Sequence, residues 1–583
     1  MDAVLIILIA FGGYLLAYRL YGRFIGQKIY RLANDKKTPA VEFEDGKDYV
    51  PTRKGIIFGH HFTSIAGTGP IVGPAIGVIW GWLPALIWVL VGSIVMGAVH
   101  DFSALVLSLR NQGRSISEIA AQYVSKRIRF AFFLIVFIEL WLFLAILGMV
   151  IAVIFHMYPE AVFPVWMEIP IAILLGWAVY KRSAKVVRTT VLAVLAMYIT
   201  VVLGHFIPLD MPMIGSMPAT GTWTIILFIY AFIASTLPVT TLLQPRDYIN
   251  AWQLFIAMAL LILGVVVSAF SGLRIVAPAV QVQPQGAPSM WPFLFITIAC
   301  GAISGFHAVV ASGTTAKQVS REEDAQFVGY GSMLMEGALS VLVIVAAAAG
   351  IGLAARGTQA GLTGMAAWTE HYASWSAAAG LGAKVGAFVE GSANMISYLG
   401  IPKFLGLIIM GVFVASFAGT SLDTTTRLQR YVIQELLGAN RVGAAQSKNI
   451  FTNNYGATFL ALLTAGLLAF SSGVNGKGAL TLWPLFGANN QTLAALALIT
   501  ASVYLKKRGG KGFLVTLLPA VFMLVMTFWA LIQNEMNYLL GGNLLLTTVN
   551  AVIIAIVVFV AIEGFIALVR GEADTLQTAD SNS

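Results

Sequence analysis

Gly59-His60-His61-Phe62-Thr63-Ser64-Ile65-Ala66-Gly67-Thr68-Gly69-Pro70-Ile71-Val72-Gly73-Pro74 lies within residues 56–80, a run apolar enough to enter a bilayer. Proline removes a backbone donor and glycine weakens a helix. In hydrocarbon, broken backbone survives only where protein or a water-lined cavity satisfies its polar groups. The stretch therefore reads as a spanning helix interrupted at mid-membrane, the usual place for a transporter's solute and ion sites. Gly69, Gly73, Gly77 and Gly81 recur every fourth residue, which also suits close packing on a neighbouring helix.

Composition places this run in a polytopic, all-α membrane protein. The chain is 58% hydrophobic and 10% charged, with a mean hydropathy of +0.84, against about 25% charged residues in soluble domains. Runs long enough to cross a bilayer fall at 3–24, 56–80, 83–109, 130–157, 165–181, 187–208, 221–243, 249–271, 291–313, 327–355, 400–422, 450–470, 481–505, 512–533 and 544–569, about fifteen in all. With the N-terminus outside and the C-terminus inside, all but five of the 35 Lys and Arg lie in inner loops or their flanks. The five are Arg274, Arg356, Lys384, Lys403 and Lys477. The net charge of +9 thus belongs to loops facing anionic lipid, and no nucleic-acid partner is expected. The lone Cys300 forms no internal disulfide. Residues 1–24 read as a peripheral first span and 25–55 as a charged cytoplasmic loop. Residues 56–422 read as the core, with an outer segment at 356–399, 450–569 as a four-span bundle, and 570–583 as a cytoplasmic tail. No oligomeric state is legible.

Several blocks of sequence are similar to one family. They are Tyr49-Val50-Pro51-Thr52, Phe58 to Phe62, Ile65 to Pro70, Gln244-Pro245-Arg246-Asp247-Tyr248, Ile298 to Ala302 through Ser312-Gly313-Thr314-Thr315, Gly329-Tyr330-Gly331 with Met335-Glu336, and Leu482 to Gly487. In this order they resemble the carbon starvation protein A family. The resemblance implies import of peptides during carbon starvation, or of pyruvate as in close relatives, across the inner membrane. It also implies a core like that of the leucine transporter, with two inverted five-helix repeats (56–208 and 221–422) whose first helices are broken. Segment 7 should then break at Ala234-Ser235-Thr236-Leu237-Pro238-Val239-Thr240-Thr241. A solute carboxylate would meet the free amides of Gly67, Thr68 and Gly69 and the hydroxyls of Ser235, Thr236 and Thr240. A cation would lie between the Ala66 carbonyl and hydroxyls of segment 9, either Ser304 or Ser312, Thr314 and Thr315.

Ionisable residues within spans offer a different coupling ion. His60, His61, Asp101 and Glu336 are the candidates for a proton, so Na+ and H+ both stay open. Glu139, His100, His307, Asp423 and Glu563 complete that set. Asp423 and Arg427 are spaced for a local salt bridge, and Arg246-Asp247 reads as an interface anchor. No metalloprotease or serine-hydrolase motif is present, adjacent His60-His61 lack the i, i+4 spacing of helical metal ligands, and no cofactor or metal is assigned. A carrier is therefore expected rather than an enzyme, with a channel or nutrient sensor as the alternatives.

Overall fold

The computed structural model describes residues 2–354, 361–437 and 451–570. Arg356 and the tail from residue 571 lie outside them. The described residues are helical apart from irregular connections and two isolated β-bridges, Thr52 to Val319 and Ile214 to Met217. The principal helices are α1 (Asp2–Tyr30), α2 (Lys54–Ala66), α3 (Gly69–Trp80), α4 (Trp82–Arg110), α5 (Ile116–Tyr123), α6 (Ile128–Met157), α7 (Pro159–Lys181), α8 (Val186–Gly204), α9 (Ala219–Thr236), α10 (Leu243–Ala269), α11 (Met290–Thr297), α12 (Gly305–Gly313), α13 (Glu322–Gly350), α14 (Leu381–Ser397), α15 (Lys403–Leu436), α16 (Asn454–Ala469), α17 (Trp483–Lys507), α18 (Leu514–Leu540) and α19 (Leu544–Arg570).

Eleven of these are long and apolar enough to cross a membrane, and α2 with α3 makes a twelfth, bent by 44°. The other three expected segments hold helices that fall short of that standard. Segment 291–313 is split into α11 and α12, α16 has 16 residues, and α17 carries Asn489-Asn490-Gln491-Thr492 in its interior. Depth in the bundle follows side-chain size. In α13 the small residues Gly329, Gly337 and Gly350 sit against Phe102, Ser93 and Gly391, and 94% of its apolar window is buried. The most apolar stretches of α1 and α19 bury only 22% and 28%, as lipid-facing helices do. Polar α17 goes inward, where Asn489 and Asn490 find partners on α6 and beside α12.

Two expectations about breaks are corrected. Segment 7 is not interrupted: α9 ends at Thr236, and Pro238 lies in the turn before α10. Guanidinium groups cap the carbonyls freed there, Arg430 bonding Ser235 O at 2.9 Å and Arg427 bonding Leu237 O. The second break is in segment 9, where residues 298–304 are non-helical. The two broken helices run antiparallel, because the approach to α2 pairs with the exit from α12: Val50 N–H bonds Lys317 O and Thr52 N–H bonds Gln318 O, both at 3.0 Å.

That pairing belongs to a strap, residues 45–52, across one end of the bundle. Asp48 accepts from Arg427 at 2.8 Å and from the Tyr431 hydroxyl at 2.6 Å, and Arg430 lies 3.6 Å away. Arg427 thus serves the strap, not Asp423. Burial alone would raise the Asp48 carboxyl, but Arg430, Arg427 and Lys317 hold it well below the usual carboxylate range. A carboxylate depressed by folding stabilises the fold above its unfolded value, and that stability is lost only as pH falls through the folded value. The strap should therefore hold unchanged between about pH 5 and 8. Asp48→Asn should cost about 1.5–3 kcal/mol, the loss of charge-assisted hydrogen bonds, and speed proteolysis of residues 36–47. Equal cleavage rates in variant and wild type would remove Asp48 as the anchor.

Candidate functional site

The two breaks touch. A Cβ on Gly69 would overlap the Cys300 side chain, one on Gly73 would lie 2.7 Å from Thr297 O, and one on Gly67 would lie 2.6 Å from Ser421 Oγ. Close approach requires glycine at these positions. The Thr68 carbonyl accepts from the amides of Ile71 and Val72, opening α3, so the amides of Thr68 and Gly69 stand at the head of a half-helix. The head of α12 is already served: Asn490 Oδ1 accepts from Phe306 N–H at 3.0 Å, and Asn490 Nδ2 donates to Ser304 Oγ at 3.0 Å.

Behind the contact lies a buried chain of ionisable groups from α4, α12 and α13. Asp101 receives His100 Nδ1 on one oxygen at 2.8 Å and His307 Nδ1 on the other at 2.9 Å. His307 Nε2 faces Glu336 Oε2 at 3.3 Å. Cys300 joins the cluster, one ligand atom of each of Cys300, His307 and Glu336 lying within 4.8 Å of the others. All of these side chains are buried. On α2, His61 Nδ1 pairs with Thr315 Oγ1 at 2.8 Å, and His60 pairs closely with Asp247 of α10 while its Nε2 faces Gln318 Nε2 at 3.2 Å.

Other expected residues fall elsewhere. Ser312 and Thr314 bond helix carbonyls of Ala308 and Val310, at 2.7 and 3.1 Å. The hydroxyls facing the first break come from α15, with Ser421 against Gly67 and Thr424 at 3.2 Å from Ser64. Ser235, Thr236 and Thr240 are not at a break. Ser235 is tied to Arg430, nine residues beyond Ser421 on α15, which puts it about 13 Å along that helix. Arg246 and Asp247 are buried, not interfacial. Arg246 bonds Glu168 at 2.8 Å, Asp423 at 2.6 Å and the Tyr230 hydroxyl at 2.7 Å. The sequence reading passed over Glu168, although a carboxylate between Trp166-Met167 and Pro170 in an apolar run was a visible signal.

Broken helices meeting at depth beside buried ionisable groups, inside a bundle of apolar spans, make this chain a membrane transporter. It belongs to the carbon starvation protein CstA family, whose model matches residues 2–530. It is 34% identical to the peptide transporter CstA of Campylobacter jejuni, over 93% of this chain and 82% of that one. It is 33% identical to the pyruvate/proton symporter BtsT of Escherichia coli, over 91% and 81%. Among solved structures, MhsT in complex with L-phenylalanine matches with a TM-score of 0.47 and 14% identity, over 82% of this chain and 98% of MhsT.

Proposed function

We propose that the chain is a secondary carrier that imports small carboxylate-bearing nutrients, peptides foremost, by ion-coupled alternating access during carbon starvation. The observation that carries this is the direct contact of two antiparallel broken helices through Gly69 and Cys300. Parting them opens a space headed by the free amides of Thr68 and Gly69, where a positive helix end suits a carboxylate. The fifteen segments, with a leucine-transporter-like core, are read as spans, the end of the bundle bearing the strap being cytoplasmic by its Lys and Arg. The proton is the coupling ion in this reading, carried by the His60–Asp247 pair because α2 must move when the breaks part. The relative named as a proton symporter supports it. Sodium is the second reading, favoured by Ser421 against the first break and Thr425 one turn on along α15, whose buried hydroxyls have no hydrogen-bond partner among the described residues.

Proteoliposome uptake of a dipeptide and of pyruvate, under separately imposed proton and sodium gradients, tests each part. Dipeptide accumulation should follow the proton gradient. His60→Gln should abolish accumulation while keeping solute exchange. Accumulation driven by sodium alone would move coupling to Ser421 and Thr425. Pyruvate uptake with no competition from any dipeptide would replace peptides by monocarboxylates.

A further inference from the structure

His307 and Glu336 turn acceptor atoms toward one another. An ionised Asp101 can only accept, so both histidines donate to it from Nδ1. That fixes the Nδ1–H tautomer of a neutral His307 and aims its Nε2 lone pair at Glu336, 3.3 Å from Oε2. Neither Nε2 nor either Glu336 oxygen has a hydrogen-bond partner among the described residues, and both side chains are fully buried. Facing lone pairs in apolar surroundings are unfavourable unless a proton or a metal ion lies between them. Cys300 closes the third side of that space.

We propose that Cys300, His307 and Glu336 form a binding site for a zinc-class divalent ion. Sulfur, imidazole and carboxylate are the donors zinc takes in tetrahedral sites. Bonds of about 2.0–2.3 Å put tetrahedral ligand atoms about 3.3–3.8 Å apart. The His307–Glu336 separation of 3.3 Å already meets this, and the 4.8 Å limit of the trio asks the third ligand to move by about 1 Å. The charges also close. The Cys300 thiol gives its proton to solvent on binding, and one thiolate plus one carboxylate neutralise a dication, which suits a buried position. Asp101 on the far nitrogen of His307 orients that ligand as the outer carboxylates of zinc histidines do. Thiolate and imidazole exclude magnesium and calcium as occupants. Three protein ligands leave a fourth position open. His60 and His61 take no part, being held by Asp247 and Thr315.

The site is tested without solute or gradient, so its failure is separate from any failure of the transport reading. Purified full-length chain in detergent, stripped with a chelator, is titrated with zinc alone and then with cobalt(II). Wild type should bind one zinc per chain, and excess magnesium should not displace it. Cys300→Ser and Glu336→Gln should each weaken binding at least tenfold, and Asp101→Asn by about 10–100-fold. The cobalt complex should show a thiolate charge-transfer band that Cys300→Ser loses and Asp101→Asn keeps at saturation. Elution volume and thermal unfolding of the stripped proteins establish that each variant is folded. Folded wild type that binds no zinc, zinc binding unchanged in Cys300→Ser, or a cobalt complex without the band would each overturn the site.

Discussion

Gly69→Val should lower uptake at least 100-fold, about 2.7 kcal/mol in the transport barrier, while the protein still inserts and elutes as wild type. Even the first carbon of the new side chain falls inside contact range of Cys300, with its Cβ as well as its sulfur in the way. Overpacking of this kind costs about 1–3 kcal/mol in a static core. In the proposed cycle the cost falls on one state, since it is met only when the breaks close on each other, and a carrier that cannot close cannot return. Cys300→Gly removes both obstructing atoms, so the double variant Gly69→Ala/Cys300→Gly should recover part of the activity that Gly69→Ala loses. Gly69→Val working at more than half the wild-type rate would show that the two breaks do not meet during transport.

Arg246→Met should have the largest effect on stability. The guanidinium holds Glu168 of α7, Asp423 of α15 and Tyr230 of α9 from its place on α10, and all four side chains are at least largely buried. Removing it leaves two carboxylates facing each other with no cation, a change worth about 3–5 kcal/mol. Membrane yield and thermal unfolding temperature should both fall. The triple variant Arg246→Met/Glu168→Gln/Asp423→Asn should recover most of the loss, because the damage comes from the uncompensated charges rather than from the shape of the site. Wild-type unfolding of the single variant would mean that the carboxylates find another partner.

Residues 56–80 disclosed the first break because glycine and proline cannot hide in a spanning helix, and the structure bends there by 44°. The same signal misled at Pro238. A proline among hydroxyls reads identically at a mid-membrane break and at a helix end, and the deciding groups, Arg427 and Arg430, are about 190 residues away in the chain. The second break was concealed because Ile298 to Ser304 contains no proline and its glycine, Gly301, is unremarkable in a small-residue run. Asp101 and Glu336 stood out as charges in apolar runs. Their meeting through His307 is a matter of tertiary register between α4, α12 and α13, which hydropathy does not encode. For the same reason Arg246 looked like an interface anchor: its partners lie on three other helices.

Cys300 is the sole thiol in the chain and lies against Gly69. The native protein is thus its own single-site reporter. In the proposed cycle a small thiol-reactive label reaches that sulfur when the two half-helices separate, so the labelling rate of unaltered protein would report how often the pathway opens. Ordinarily such a clock requires stripping every other cysteine from a transporter and checking that the remainder still works. Here the rate with and without solute, zinc or a gradient can be read from the wild-type chain, turning a packing contact into a direct measure of cycle kinetics.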